Sequence, residues 1–346
     1  MRIRWPFGIA PLRGLMSVVL MASSLLPHAA AAQNATVEDQ SRLLGRASAA
    51  VVGVRALAVD EARSIRTLGK DRQGSGVVID ENGLVLTIGY LILEAEQVQV
   101  TTDDDRVIPG RVVGYDVATG FGLIQALVPL RIEPVPLGQS ARVRDDEPLM
   151  IASGGESGAV SVARMVSRRP FAGYWEYHIE DALFTTPPRG DHSGAGLFNG
   201  RGELVGIGSL FVAHAMGDTQ PRMPGNMFVP VDLLRPIIDE LRRSGTTSSS
   251  RRAWIGINAV EDDGEVRIIR VNDDSPADVA GLQAGDRIVR IDGVAVSALG
   301  QLWKALWSGG APEREVTLEI QRAGKTEALK LHSVDRAKTL KRAQGV

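Results

Sequence analysis

The segment Gly190-Asp191-His192-Ser193-Gly194 sets a serine hydroxyl directly beside an imidazole, two of the groups that acyl transfer uses. A serine hydroxyl is a poor nucleophile at neutral pH. It needs a histidine within hydrogen-bond reach to take its proton, an aspartate to orient that histidine, and two N–H donors aimed at the developing oxyanion. Neighbouring side chains on an extended or tightly turned segment point apart, so His192 is not expected to reach Oγ of Ser193. His178 and His214 fall in loops or at strand ends, and all three histidines read as surface or packing residues. The sequence has no cysteine, which leaves no disulfide framework, thiol chemistry or Cys-based zinc site. None of His178, His192, His214 and His332 stands at helical i, i+4 spacing from another, so neither a metal nor another cofactor is expected.

A chain of 346 residues exceeds what one core usually supports, and at least two domains are expected. Its start carries Arg2, Arg4 and Arg13 without an acid, then an apolar run from Leu15 to Leu26, Pro27, and small residues from Ala29 to Ala32. That is the pattern of a secretory signal, expected over residues 1–32 with cleavage before Gln33. The run is too short to span ~30 Å of hydrocarbon as an anchor. Losing those three arginines takes the net charge from −2 to −5, which offers no footing for nucleic acid.

From Ala49 to Leu210 short β-type runs alternate with Gly, Pro and Asp: Val51 to Val54, Gly76 to Ile79, Leu84 to Thr87, Val98 to Thr101, Arg111 to Tyr115, Gly122 to Ala126, Leu149 to Ala152 and Gly202 to Gly208. Without long helices between them, these predict antiparallel barrels or a sandwich. Met227 to Pro230 reads as a last strand and Val231 to Arg243 as a helix with an apolar face. Ser244 to Ser250, six hydroxyl residues and one glycine, reads as a polar, flexible linker. A mixed unit follows over 251–336, with strands at Val266 to Val271, Arg287 to Ile291 and Val316 to Arg322 and a helix near Leu299 to Trp307.

The second unit resembles a PDZ domain through Trp254-Ile255-Gly256-Ile257, SPADVAGLQAGDRIVRIDGVAV (Ser275 to Val296) and the Leu299 to Trp307 helix. The resemblance implies that the loop Trp254 to Ile257 offers backbone N–H groups to a peptide's terminal carboxylate, the peptide adding as a strand beside it. The first unit, 33–243, resembles the protease domain of the HtrA/Deg family. The similarity runs through GSGVVIDENGLVLT (Gly74 to Thr87), GRVVGYDVATGFGLIQA (Gly110 to Ala126), LMIASGGESGAVSVARMVS (Leu149 to Ser167), GDHSGAGLFNGRGELVGIG (Gly190 to Gly208) and NMFVPVDLL (Asn226 to Leu234). It implies a mainly β fold, two six-stranded barrels of trypsin type with the active site in the cleft between them, followed by the PDZ domain.

Carried over residue by residue, the family's serine falls on Ser193, its histidine on Tyr90 and its aspartate on Gly120. A phenol of ordinary pKa ~10 is a weak base at neutral pH, and glycine cannot orient an imidazolium. Around Ser193 the glycine expected for the oxyanion hole is displaced: Asp191 stands two residues before the serine, with Gly190 one place earlier and His192 between. The resemblance therefore implies an exported pseudoprotease of protein quality control, an adaptor or regulator that binds unfolded segments or protein C-termini. An active serine endopeptidase with a rearranged base is the alternative. Homo-oligomers, or mixed assemblies with active relatives, are the further partners it implies, although Gln33 to Arg46 lacks the aromatic residues through which such proteins commonly form trimers.

Overall fold

A computed structural model describes residues 26–156 and 158–341, with side chains from residue 37 on. Most of the expected signal segment therefore lies outside the described residues. A helix, α1 (Leu26–Ala49), runs past the expected cleavage position, and its part up to Arg42 forms a unit of its own. Among the described residues no helix is long and apolar enough to cross a membrane.

Each predicted β-type run lies in or overlaps a strand. The first six are β1 (Val51–Ala58), β2 (Asp71–Val78), β3 (Leu84–Ile88), β4 (Ala95–Thr101), β5 (Val107–Tyr115) and β6 (Phe121–Ala126), with a short helix α2 (Ile65–Leu68) after β1. They close into a barrel in the order β1-β2-β3-β6-β5-β4. The next six are β7 (Pro148–Ala152), β8 (Val160–Gly173), β9 (Tyr177–Thr186), β10 (Gly196–Phe198), β11 (Leu204–Val212) and β12 (Gly225–Pro230), closed as β10-β11-β12-β9-β8-β7. Closure pairs every edge, and the inward residues fill the interior. Leu86, Phe121 and Leu123 are fully buried in the first barrel; Ile151, Leu183 and Leu197 in the second.

Two expectations are corrected here. Val231 to Arg243 is not one helix: a single 3-10 turn over Val231–Leu233 precedes α3 (Ile238–Ser244). Pro236 has no N–H to donate and biases Arg235 away from helical backbone, so the helix starts beyond it. Nor is 244–250 a solvated linker. Thr247 is 1% and Ser250 0% exposed, and both hydroxyls donate to Oδ1 of buried Asp116 on the first barrel. The hydroxyls that make this run look soluble are the groups that dock it.

Beyond it come β13 (Ala253–Trp254), β14 (Ile257–Asp262), β15 (Glu265–Val271), α4 (Pro276–Val279), β16 (Arg287–Ile291), β17 (Val294–Ala295), α5 (Leu299–Ser308), β18 (Glu315–Arg322), β19 (Lys325–His332) and β20 (Val334–Asp335). The sheet runs β14-β15-β16-β18-β19, with β17 on β16, and β13 pairs with β20. Ser275 caps α4 by accepting from the Asp278 N–H, with Pro276 at the first helical position. Apolar positions along α5 bury Leu302, Trp303 and Leu306 against Ile268 and Leu318. Strand β14 ends the sheet, so one side of its backbone has no strand of this sheet beside it.

Candidate functional site

Ser193 lies between the barrels because its backbone is tied to both. Its carbonyl accepts from the Ser75 N–H on β2 at 2.8 Å, and the next residue's N–H donates to Gly208 O on β11 at 2.9 Å. That residue must be glycine: Gly194 has φ +76°, and a Cβ there would stand 1.9 Å from Ser75 O. Facing it, Tyr90 sits on a 3-10 turn, Gly89–Leu91, that follows β3. The buried guanidinium of Arg72 holds the turn by donating to Tyr90 O at 3.0 Å and Leu93 O at 2.6 Å.

Tyr90 Oη is 2.8 Å from Ser193 Oγ and 2.7 Å from Ser209 O. The carbonyl can only accept, so when the phenol gives it its one proton, the Tyr90 oxygen accepts from the Ser193 hydroxyl. The serine's proton then points at a neutral phenol. Burial pushes that phenol up to about 12, against a smaller lowering by the bond to Ser193. Tyr90 thus satisfies Ser193 without being able to take its proton at neutral pH. A cavity of about 380 Å³ opens beside it, lined by Tyr90, Tyr115, Gly120, Trp175, Tyr177 and Ser209 among others.

Gly120 adopts φ +81° at the start of β6, and a Cβ there would meet Tyr177 Oη at 3.1 Å. The nearby carboxylate of Asp116 is turned to the junction: Thr119 N–H and hydroxyl bond its Oδ2, Thr247 and Ser250 its Oδ1. Asp191 is equally engaged. Arg189 bonds both its oxygens and Ser153 donates to one, and Arg189 above all holds its carboxyl below the usual range. His192 Nδ1 lies 2.9 Å from Arg189 O, so it carries the proton and donates to that carbonyl. Gly190 is exposed, with no atom near the place a Cβ would take. His178 is placed away from the cleft, against Gly300 on α5, and His214 Nδ1 is buried without a partner. Among the described residues, the structure therefore bonds the Ser193 hydroxyl to Tyr90 and to no histidine.

The second group of predicted residues does form a cradle, and it is filled. The backbone N–H groups of Gly256 and Ile257 donate to Oε1 of Glu176 at 2.8 and 3.2 Å, and Ile255 N–H lies 3.4 Å from both carboxyl oxygens. Gly256 has φ +86°, and a Cβ there would stand 2.2 Å from that of Ser275. Ile255 and Ile257 are buried in the core of their unit, whereas Trp254 is half-buried and lines the cavity with Ile257. Glu176 belongs to the turn between β8 and β9 and is 3% exposed.

Comparison with known proteins bears on both sites. Residues 74–207 match the trypsin-like peptidase domain and 253–332 the PDZ domain. The chain is 26% identical over 276 residues to the DegP-like periplasmic serine endoprotease of Marinomonas sp. MWYL1, covering 74% of this chain and 55% of that protein. It is 26% identical over 275 residues to the DegP-like one of Brucella suis biovar 1, covering 74% and 51%. Among solved structures, the HtrA-type protease AlgW with decapeptide shares the fold, with TM-score 0.53 at 18% identity, covering 86% of this chain and 98% of that one. The serine endoprotease from Yersinia pestis does so with TM-score 0.51 at 21% identity, covering 86% and 97%. The chain belongs to the HtrA/Deg family. It spans about half the length of the two DegP-like relatives. Within this HtrA-family chain, sequence reasoning missed Glu176 and Arg72. The one signal pointing to Glu176 was an acid amid the aromatics of Tyr174-Trp175-Glu176-Tyr177.

Proposed function

We propose that this HtrA-family chain is an exported pseudoprotease whose PDZ domain binds unfolded segments or protein C-termini, serving protein quality control as an adaptor or regulator. The observation that carries the reading is the 2.8 Å contact between Tyr90 Oη and Ser193 Oγ, with the phenol at about 12 where a general base is needed. Gly120, which takes the place of the triad aspartate, offers no carboxylate. The periplasmic names of its bacterial relatives and the signal-like start of the sequence support export. The domain division follows the same reading: signal 1–32, protease unit 33–243, junction 244–250 and PDZ unit 251–336. Assembly with itself or with active relatives belongs to it as well.

The test is hydrolysis of casein and of fluorogenic peptides by the purified chain beside Ser193→Ala. Equal, background-level rates are expected. Turnover that Ser193→Ala abolishes would establish the alternative, a serine endopeptidase working without a triad.

A further inference from the structure

Glu176 is placed as a ligand would be. It lies at the tip of the β8–β9 hairpin with φ +61°, a left-handed backbone that glycine or asparagine adopts more readily. From there its carboxyl enters the cradle made by residues 255–257. Two residues earlier, Tyr174 O accepts from the Ala259 N–H on the open side of β14 at 3.0 Å. On the other flank, Trp303 Nε1 of α5 donates to Gly173 O at 2.9 Å. The turn thus lies between β14 and α5, carboxyl in the cradle and backbone along the strand edge. Arg336 fastens it from outside, donating to Trp175 O at 3.0 Å and Glu176 O at 3.1 Å.

We infer that the PDZ cradle is self-ligated, the Glu176 side chain standing where a peptide's terminal carboxylate would, and that outside peptides bind by exchange with the 173–177 turn. This rests on the peptide-binding reading for its second half only; the occupancy of the cradle is independent of it. Exchange makes the groove selective for chains that supply both elements the turn supplies, a carboxylate and a main-chain acceptor at the β14 edge. It also lowers the apparent affinity of every peptide by the fraction of molecules whose turn is open.

The experiment uses the full chain, with Glu176→Ala and Glu176→Gln. Hydrogen exchange at Gly256 and Ile257 reports the cradle directly. Faster exchange in Glu176→Ala is expected, and unchanged protection in both variants overturns self-ligation. Glu176→Gln keeps an acceptor and serves where the alanine variant folds poorly. The peptide probe is Phe-Ala-Gly-Tyr-Trp-Val, which copies residues 171–175 with Val in place of Glu176 and ends in a free carboxylate, beside its C-terminal amide. Glu176→Ala is expected to bind the acid about tenfold to a hundredfold more tightly than the parent, and the amide weakly. Equal affinity of parent and variant overturns exchange. An exposed cradle that binds neither peptide overturns the groove reading while self-ligation stands.

Discussion

Two places in this molecule look like receptors, and both are closed by its own side chains. At Ser193 the closing group is Tyr90, local to the same cleft, neutral, and bonded to a main-chain carbonyl as well as to the serine. At residues 255–257 it is Glu176, delivered from the other end of a long hairpin and ionisable near neutral pH. On the pseudoprotease reading proposed above, removing the first leaves no catalyst, because the orienting carboxylate is also missing. Removing the second leaves three N–H donors ready for another carboxylate. The same outward result, an occupied site, is permanent in one place and exchangeable in the other.

The sharpest way to break that contrast is to give the cleft its base. Tyr90→His is expected to leave peptide hydrolysis about 10⁴-fold below an intact triad, since no carboxylate sets the imidazole's tautomer. Gly120→Asp is no easy remedy: φ is +81° and Tyr177 Oη stands 3.1 Å from the new Cβ. Hydrolysis by Tyr90→His within tenfold of an active relative would show that the cleft is only dormant. Next come the two glycines that shape the sites. Gly194→Ala and Gly256→Ala, with Cβ positions 1.9 Å from Ser75 O and 2.2 Å from Ser275 Cβ, should each cost about 3 kcal/mol or more in denaturant unfolding. A loss under about 1 kcal/mol for Gly256→Ala would mean that the cradle yields and is not preformed.

The smallest effect is in pH. Burial pushes the Glu176 carboxyl up to about 7, while Arg336 and the three N–H groups pull the other way. With the turn open the carboxyl returns to its ordinary 4.5. The closed form therefore holds a proton that the open form releases. Its stabilisation is complete below pH 4.5 and is lost as pH rises through about 7, so opening becomes easier by about three-hundredfold over that window and then levels off. Peptide affinity should rise with it, and Glu176→Gln should abolish the rise. Burial raises Tyr177, the next residue, well above its ordinary value. His178, two residues on and close to Glu180 and Lys304, is lowered by burial and favours opening as pH falls. Its sign is opposite, and it survives in Glu176→Gln. An affinity that falls from pH 5 to 7 in the parent would transfer control to His178.

The barrels and the PDZ sheet were legible because alternation, glycine punctuation and apolar faces are local properties. The positions of Tyr90 and Gly120 were read from the resemblance to the HtrA/Deg family, counted from strands that are themselves recognisable. Glu176 was not legible. Its partners are some eighty residues away, and the hairpin that carries it mixes Arg164, Arg168 and Arg169 with apolar residues, blurring the strand pattern of β8. The run 244–250 misled for the opposite reason: composition reports what a hydroxyl prefers in water, and a buried aspartate can supply the same bonds. The break at Pro236 was visible in the sequence but was overridden by the apolar spacing around it.

That buried aspartate has a kinetic consequence. With Thr247 and Ser250 fastened to Asp116, the connection between the barrels and the PDZ unit is held against the first barrel at both residues. On the exchange reading, access to the cradle comes from the turn itself unzipping from β14 and α5, a local fluctuation. The rate at which a peptide associates is then capped by how often the turn opens, and beyond that cap adding more peptide gains no speed.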